Sequence, residues 1–216
     1  HGCADLMATA ELTAAFARLD RATSTAELVQ ATRAIASLQD PEAAETLIKV
    51  LGFNNPAVAS VATEGLIRLG CAVVPKLLVS LDARNYGARA WVVKVLATLR
   101  DPRGLELLEH ALQADIAPSV RRAATRGLAE LDLNNSRDAD ALRRCCDGLL
   151  LAGRDDEWVV RYAAAFGLER RLQHSNVSGS MTDQALALLR QLSSSSEDVK
   201  VVRLRAQLAL QRLNAE

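Results

Sequence analysis

A helical motif of small and apolar residues recurs six times along the 216-residue chain. Each copy ends in leucine, and each begins at one aligned residue, which we define as position 0 of the motif: Ala31, Ala62, Val93, Ala124, Ala164 and Ala206. The first four lie 31 residues apart, and the later spacings are 40 and 42 residues. Such a period, built from paired helices, is typical of α-solenoids, in which helical hairpins stack on their neighbours.

Prolines mark the start of several helices, because a proline in the first helical turn loses no hydrogen bond. With these boundaries the sequence predicts an all-α fold, an α–α superhelix of the HEAT-like solenoid type with about six helical-hairpin repeats in a single domain, 1–216. The segment 1–22 is poorly defined by the pattern, and 174–182 is expected to be a loop insertion. The predicted helices are 25–38, 41–51, 56–69, 71–82, 86–99, 102–113, 118–131, 138–152, 157–173, 181–193 and 198–213.

Charge and composition narrow the classes of function. The 26 basic residues balance the 26 acidic ones, which predicts no nucleic-acid partner. No apolar run approaches the roughly 20 residues of a membrane span, so we expect a soluble, cytoplasmic protein. The cysteines show no metal or disulfide spacing, and we expect them to be small buried hydrophobes. No metal and no cofactor is expected.

One face of each motif helix is predicted to be packed and the opposite face open. At about 100° per residue, positions −4, 0, +3, +4 and +7 share the packed face, where glycines allow close approach of helices. Positions −6, −2 and +2 lie opposite. They hold most of the chain's few aromatic rings, and Trp91, Arg122 and Tyr162 are predicted to form one column across three repeats. Such a column favours a binding surface for a ligand or partner, and the alternative is that the rings pack against the longer insertions or a terminal helix.

Position −3 carries arginine in the last three repeats, at Arg121, Arg161 and Arg203. Asp156 stands five residues before Arg161, and Asp198 stands five residues before Arg203. This spacing favours an Asp–Arg ladder in which each pair ties the start of a helix to the body of the same helix. The alternative role for these arginines is anion binding.

Motifs of covalent and metal chemistry are missing from the sequence. It has no Gly-rich phosphate loop, no paired histidine–glutamate metal motif, no nucleophile elbow and no CxxC. The three histidines are expected to be solvated. Any catalysis is therefore expected to work by positioning and by acid–base assistance.

Three segments resemble the HEAT-repeat phycobilin lyases of cyanobacteria. The most specific is Asn85-Tyr86-Gly87-Ala88-Arg89-Ala90-Trp91; the others are Leu99–Gly104 with Ser119–Ala124, and Trp158–Ala164. The resemblance covers about residues 25–213 and is closest to the smaller, F-type (β) subunit of the heterodimeric phycocyanobilin lyase.

The resemblance implies attachment of an open-chain tetrapyrrole, phycocyanobilin-like, to a cysteine of a phycobiliprotein through a thioether bond. It also implies an E-type HEAT-repeat subunit as the heterodimer partner, with the phycobilin as substrate rather than cofactor. The bilin has conjugated rings for aromatic contacts, propionates for arginines and a proton to be held by a carboxylate. The candidate residues are Tyr86, Trp91, Trp158 and Tyr162 for the rings, Arg121, Arg122 and Arg161 for the propionates, and Asp156 or Glu157 for the proton.

Two other functions fit the same surface. The chain could be a non-catalytic HEAT-repeat scaffold or chaperone that binds a protein partner, and in that case it would carry no bilin. It could also remove or transfer bilins instead of attaching them.

Overall fold

The computed structural model of the chain describes residues 2–80, 86–133, 139–174 and 176–214, and the side chains among them except those of residues 2–8 and 86. These residues form α-helices and short 3-10 turns, with no strand in the ranges described. The all-α prediction is therefore confirmed. Two compact units divide the chain, unit 1 at His1–Leu99 and unit 2 at Arg100–Glu216.

Unit 1 is built from helical hairpins. Helices α2 and α4 pack side by side, as do α4 and α6, while α1, α3 and α5 flank them. Helix α1 occupies most of the segment that the sequence pattern left poorly defined. The helices are α1 (Gly2–Arg21), α2 (Thr25–Ser37), α3 (Ala44–Leu51), α4 (Pro56–Leu69), α5 (Val74–Val79) and α6 (Tyr86–Leu99).

Unit 2 repeats the same arrangement. Its inner helices α8, α10 and α12 contact one another in succession, and each packs against an outer helix, α7, α9 or α11. Helix α11 begins inside the segment that was expected to be a loop insertion. The helices are α7 (Leu105–Ala114), α8 (Pro118–Glu130), α9 (Ala139–Ala152), α10 (Trp158–His174), α11 (Gly179–Ser193) and α12 (Lys200–Asn214).

Two of the predicted helices open with a 3-10 turn that begins at a proline, at Pro41–Ala43 and Pro102–Gly104. In each, an aspartate just before the proline accepts a hydrogen bond from the backbone N–H two residues on; Asp40 accepts from Glu42 at 2.9 Å and Asp101 from Arg103 at 2.9 Å. The aspartate and proline together define the helix start, as the sequence predicts.

Glycine at position +3 allows the helices to pack closely. A Cβ on Gly65 would lie 2.7 Å from Cβ of Ala36 on the preceding inner helix. A Cβ on Gly167 would lie 2.9 Å from Cβ of Ala129 and 2.5 Å from Cδ2 of Leu149. Because real Cβ atoms do not approach so closely, only glycine fits at this helix spacing, which confirms the predicted packed face at these two residues.

The alignment of α6 is wrong by one residue. In α4, positions 0, +1, +3 and +4 are buried and Glu64 at +2 is exposed; α6 shows this burial pattern only if Val92 is position 0 and Lys94 is +2. The true spacings are then 30 residues from Ala62 and 32 to Ala124, and Leu99 takes the +7 place of Leu69. Trp91 is therefore at position −1 and does not share the helical position of Arg122 and Tyr162.

The prediction that no apolar run approaches the length of a membrane span is wrong for one stretch. Pro56–Val79 is long and apolar enough to cross a membrane by length and composition. It is not one straight helix, because α4 ends at Leu69 and Gly70, with φ of 74°, turns the chain into a 3-10 segment before α5. Val58, Ala62 and Leu66 are buried, and α4 packs against α2 and α3. These are the contacts of a core helix in a helical repeat.

Candidate functional site

The inner helices of unit 2 present an open face on the side away from their packed residues. We define this open face by the side chains at positions −2 and +2 of three successive inner helices. Helix α8 contributes two arginines, α10 two aromatic rings and α12 two leucines. The residues are Arg122 and Arg126, Tyr162 and Phe166, and Leu204 and Leu208.

The two arginines of the open face have no acidic partner. Arg122 is exposed, and neither it nor Arg126 forms an ion pair or hydrogen bond with any residue in the described part of the chain. The guanidinium carbon of Arg126 lies 3.8 Å from the centroid of the Phe166 ring, on the neighbouring helix. That distance is typical of a cation–π contact, in which the N–H groups of the guanidinium stay available to other hydrogen-bond partners.

A buried ionic cluster supports Phe166 from a third helix. The guanidinium carbon of Arg205 on α12 lies 5.5 Å from the same ring centroid. Nη2 of Arg205 donates to Oε2 of Glu169 at 2.6 Å, and Nη1 of Arg212 donates to Oε1 of Glu169 at 3.1 Å. Because Glu169 and Arg205 are almost fully buried, this cluster holds the ring in a defined position.

The start of α10 places two predicted ligand contacts and the two predicted proton carriers together. Trp158 and Tyr162 are 44% and 38% exposed, which is unusual for large rings in a folded helical protein. The side chains of Asp156 and Glu157, immediately before Trp158, are also exposed and form no bond to another described side chain. All four are therefore accessible to a ligand on this side of unit 2.

Arg121 and Arg161 both lie in ion pairs between repeats, which favours the structural ladder over their predicted role in propionate binding. Arg121 donates through Nε and Nη2 to the two carboxylate oxygens of Asp155, at 2.7 and 3.0 Å. Arg161 does the same to Glu197, at 2.7 and 2.8 Å. Their Nη1 groups donate to backbone carbonyls at the start of their own helices. Each guanidinium is thus already bound on both edges and half-buried.

The arginine ladder exists, but its acidic partners differ from the predicted ones. Arg161 pairs with Glu197 of the following repeat, not with Asp156, and Arg203 donates to the backbone carbonyl of Glu197, not to the carboxylate of Asp198. Each paired acid stands six residues before the arginine of its own repeat. Its carboxylate also accepts a hydrogen bond from the backbone N–H two residues later; Asp155 accepts from Glu157 at 2.9 Å. The ladder therefore joins successive repeats.

The pKa values of the ladder carboxylates reflect these contacts. The hydrogen bond from Arg161 lowers the pKa of Glu197 below its ordinary value. At Asp155 burial alone would raise the pKa, but the hydrogen bonds from Arg121 and the Glu157 backbone outweigh burial and leave it lowered. Both acids are therefore held in the charged form.

Unit 1 carries the two remaining predicted ligand contacts. Trp91 is half-buried, and Nζ of Lys94 lies 5.1 Å from the centroid of its ring. The side chain of Tyr86 lies outside the described part of the structure. At the corrected positions +2 of the inner helices, unit 1 has Arg33, Glu64 and Lys94, all exposed. The +2 positions of unit 1 are thus charged, whereas those of α10 and α12 in unit 2 are aromatic or aliphatic.

The cysteines of unit 2 are structural. Cys145 and Cys146 are unpaired and buried in α9, and burial raises the pKa of each thiol to about 11. A thiol must be deprotonated and accessible to act as a nucleophile. The prediction of small buried hydrophobes is confirmed for this pair, whereas Cys71 is exposed. Among described residues no group of three or more His, Cys, Asp or Glu is arranged to hold a metal.

Three residues of the open face were missed by the sequence analysis. Arg126, Leu204 and Leu208 occupy the −2 and +2 positions in the same helical pattern that singled out Arg122 and Tyr162. Leu204 and Leu208 are 52% and 38% exposed. The helical pattern does place leucine at positions −2 and +2 of α12. These leucines were not predicted to be exposed, because leucine in a helix is usually assigned to the core.

Family models match two parts of the chain. A model described as HEAT repeats matches residues 74–149, and a model described as PBS lyase HEAT-like repeat matches residues 28–53. Together they agree with the helical hairpins in each unit and with the predicted HEAT-like fold.

Individual relatives extend the match over nearly the whole chain. The bilin biosynthesis protein RpcF of Synechococcus sp. (strain WH8020) is 58% identical over 202 residues, covering 94% of this chain and 96% of that protein. The phycocyanobilin lyase subunit beta of Thermosynechococcus vestitus is 42% identical over 199 residues, covering 90% of this chain and 92% of that protein. A solved complex of CpcE and CpcF of phycocyanin lyase from Nostoc sp. PCC7120 matches with a TM-score of 0.70 and 39% identity, covering 79% of this chain and 99% of that chain.

Proposed function

This chain belongs to the family of HEAT-repeat phycobilin lyase subunits, and we propose that it is the F-type (β) subunit of a heterodimeric lyase. Its substrate is an open-chain tetrapyrrole, phycocyanobilin-like, which the enzyme joins to a cysteine of a phycobiliprotein through a thioether bond. The observation that carries the proposal is the open face of unit 2, where exposed rings on α10 adjoin unpaired arginines on α8. A bilin has the matching chemistry of conjugated rings and carboxylates.

Residues near the start of α10 and α8 hold the chromophore in this proposal. Trp158 and Tyr162 contact its rings, because both present apolar faces to solvent on successive turns of one helix. Arg122 supplies positive charge from the neighbouring helix. Tyr86 and Trp91 in unit 1 remain predicted ligand contacts.

The reaction adds a thiol across the ethylidene double bond of the bilin. The sulfur bonds to the ethylidene carbon, the electron pair of the double bond moves into the ring, and a proton ends on the adjacent ring carbon, so no oxidant or reductant is needed. The addition is faster when the tetrapyrrole is protonated, because the positive charge draws electrons from the ethylidene carbon. We assign the carboxylate that holds this proton to Asp156 or Glu157, which are exposed beside Trp158.

The acceptor thiol comes from the phycobiliprotein. Cys145 and Cys146 are buried with raised pKa values and offer no accessible thiolate. The partner in the heterodimer is an E-type HEAT-repeat subunit, in line with the matched complex of CpcE and CpcF. The reaction takes place in the cytoplasm, where a reducing environment keeps the acceptor cysteine free.

Reconstitution tests the proposal. The chain, its E-type partner, phycocyanobilin and an apo-phycobiliprotein are combined, and covalent chromophore is measured by zinc-enhanced fluorescence of the denatured acceptor. Covalent attachment should require both subunits. An acceptor that gains the same covalent bilin when this chain is omitted overturns the proposal, and copurification with the acceptor without any visible absorbance would favour a non-catalytic scaffold. Loss of bilin from a loaded acceptor would instead indicate removal or transfer.

A further inference from the structure

We propose that Arg122 and Arg126 of α8 form a clamp for the two propionate carboxylates of the bilin, so that the chromophore lies in a defined orientation across unit 2. This inference rests on the proposed function and adds to it the residues and the direction of binding. The propionate edge lies along α8, and the ring system extends over Tyr162 toward α12.

The arginines of unit 2 differ in whether they are already bound. Arg121 and Arg161 are held by carboxylates of neighbouring repeats, and Arg171 donates to the backbone carbonyls of Leu128 and Leu131. Arg122 and Arg126, by contrast, have no acidic or carbonyl partner among the described residues. Arg122 and Arg126 therefore place two guanidinium groups without an acidic partner on one face of one helix.

The spacing of the pair suits two carboxylates on one molecule. Residues four apart on a helix are neighbours on its surface, with Cβ atoms about 5–6 Å apart. Two adjacent guanidinium groups repel each other, and a ligand that brings two negative charges relieves this repulsion. The two propionates of a bilin sit on neighbouring rings and project from the same edge of the molecule.

Stacking on Phe166 orients Arg126 before any ligand arrives. The guanidinium carbon of Arg126 lies 3.8 Å from the centroid of the Phe166 ring. The guanidinium carbon of Arg205, which is itself bound to Glu169, lies 5.5 Å from the same centroid. A planar guanidinium in this position keeps its N–H edge free for a bidentate contact with a carboxylate. The side chain then loses less conformational freedom on binding.

The open face changes in polarity from one helix to the next. At the same two helical positions it is cationic on α8, aromatic on α10 and aliphatic on α12, where Leu204 and Leu208 remain exposed. An amphiphile with an anionic edge and an apolar ring system matches this order, and a ligand with charge on all sides does not. The gradient therefore assigns the direction in which the bilin lies.

Esterification of the propionates tests the clamp. Binding of phycocyanobilin and of its dimethyl ester to the heterodimer is measured by visible absorbance titration, with the unaltered chain and with R122Q/R126Q. The unaltered chain should bind the free acid at least about tenfold more tightly than the ester, since charge-assisted hydrogen bonds are lost with the ester. The double variant should bind the two compounds equally.

Three further variants sharpen the test. R190Q, on the outer helix α11, removes an exposed arginine without an ion pair in the described structure and should leave the preference for the free acid unchanged. F166L keeps both charges but removes the stacking surface and should reduce the preference. R126K keeps the charge without the planar fork and should also reduce it.

The outcomes separate the clamp from the proposed function. Equal binding of acid and ester by the unaltered chain, together with normal covalent attachment, overturns the clamp and leaves the lyase function standing. An undiminished preference in R122Q/R126Q also overturns it. If the unaltered heterodimer binds neither compound and attaches no bilin, both the clamp and the proposed lyase function are overturned.

Discussion

Arg161 binds the carboxylate of Glu197, a residue 36 positions later in the chain, through two parallel hydrogen bonds of 2.7 and 2.8 Å. Its third nitrogen donates to the carbonyls of Asp155 and Asp156 at the start of its own helix, at 2.8 Å each. One guanidinium thus fastens the beginning of α10 to the segment that precedes α12. Arg121 makes the corresponding link to Asp155, so the ladder stabilises the stacking of repeats within unit 2.

Loss of the Arg161 side chain should destabilise unit 2. R161A leaves the Glu197 carboxylate, whose side chain is 6% exposed, without its cation. We expect the free energy of unfolding to fall by about 2 kcal/mol, because one member of a largely buried ion pair is left unpaired. Urea unfolding followed by circular dichroism measures the change.

A control variant and a double-mutant cycle test whether loss of the ion pair is what destabilises R161A. R190A removes an exposed arginine with no ion pair in the described structure and should change the stability by less than about 0.5 kcal/mol. In a double-mutant cycle, E197A should cost much less in the R161A background than alone. Additive effects of the two substitutions would show that the pair does not act as a unit.

Acid should weaken the same link. The pKa of Glu197 is lowered in the folded protein by the hydrogen bond from Arg161. A carboxylate with a lowered folded pKa contributes stability that is fully present above its unfolded pKa and is lost as the pH falls through the folded pKa. The melting temperature should therefore vary little with this group above about pH 5 and fall below about pH 4.

Comparison with E197Q isolates this contribution. The glutamine cannot ionise, so the chain with Glu197 should be more stable than E197Q at pH 7, and the difference in melting temperature should shrink as the pH drops below about 4. A difference that stays constant from pH 7 to pH 3 would mean that ionisation of Glu197 does not stabilise the fold.

The arginine ladder shows which ion pairs can be predicted from sequence spacing and which cannot. Arginines at position −3 and acids before each helix were predicted from the sequence, and the structure contains both. The sequence spacing favoured Asp156 as the partner of Arg161, five residues away, but the structure pairs it with Glu197. Spacing within one helix reports local neighbours only, whereas stacking of repeats brings together residues about one repeat apart.

The open face could be predicted only where the helical position was unambiguous. Arg122 and Tyr162 lie two residues before Ala124 and Ala164, the small residues that define position 0, and both side chains are exposed as predicted. At α6 the run Val92-Val93 permits two alignments one residue apart, and a shift of one residue rotates every side chain by about 100°. Only burial in the structure distinguishes them, and it moves Trp91 off the predicted column.

Position +3 should not tolerate a side chain where an inner helix packs most tightly. G167A adds a Cβ 2.5 Å from Cδ2 of the fully buried Leu149 and 2.9 Å from Cβ of Ala129, whose short side chain has no flexible end to move aside. We expect a loss of about 1–3 kcal/mol from overpacking. G179A, at the first residue of α11, meets nothing within 4 Å and should be neutral or slightly stabilising. Equal melting temperatures for the two variants would contradict the close packing seen at Gly167.

The cysteines should differ sharply in reactivity. Burial raises the pKa of Cys145 and Cys146 to about 11, so at pH 8 few of their thiols are ionised and none is accessible. Cys71 is exposed. Iodoacetamide at pH 8 should therefore label Cys71 and spare the buried pair until urea is added, as measured by peptide mass spectrometry. Rapid labelling of Cys145 in the folded protein would show that α9 opens readily.

Removal of the proton carrier should slow attachment without weakening bilin binding. Asp156 and Glu157 are both exposed beside Trp158, so the variants D156N and E157Q are compared separately. General acid catalysis typically contributes about 100-fold or more, and the variant lacking the true proton carrier should lose at least tenfold in single-turnover attachment rate while its bilin dissociation constant changes less than twofold. D183N, an exposed aspartate on α11, is the matched control. If both variants attach bilin at the unaltered rate, neither carboxylate carries the proton, and a parallel loss of binding and rate would instead assign the residue to holding the chromophore.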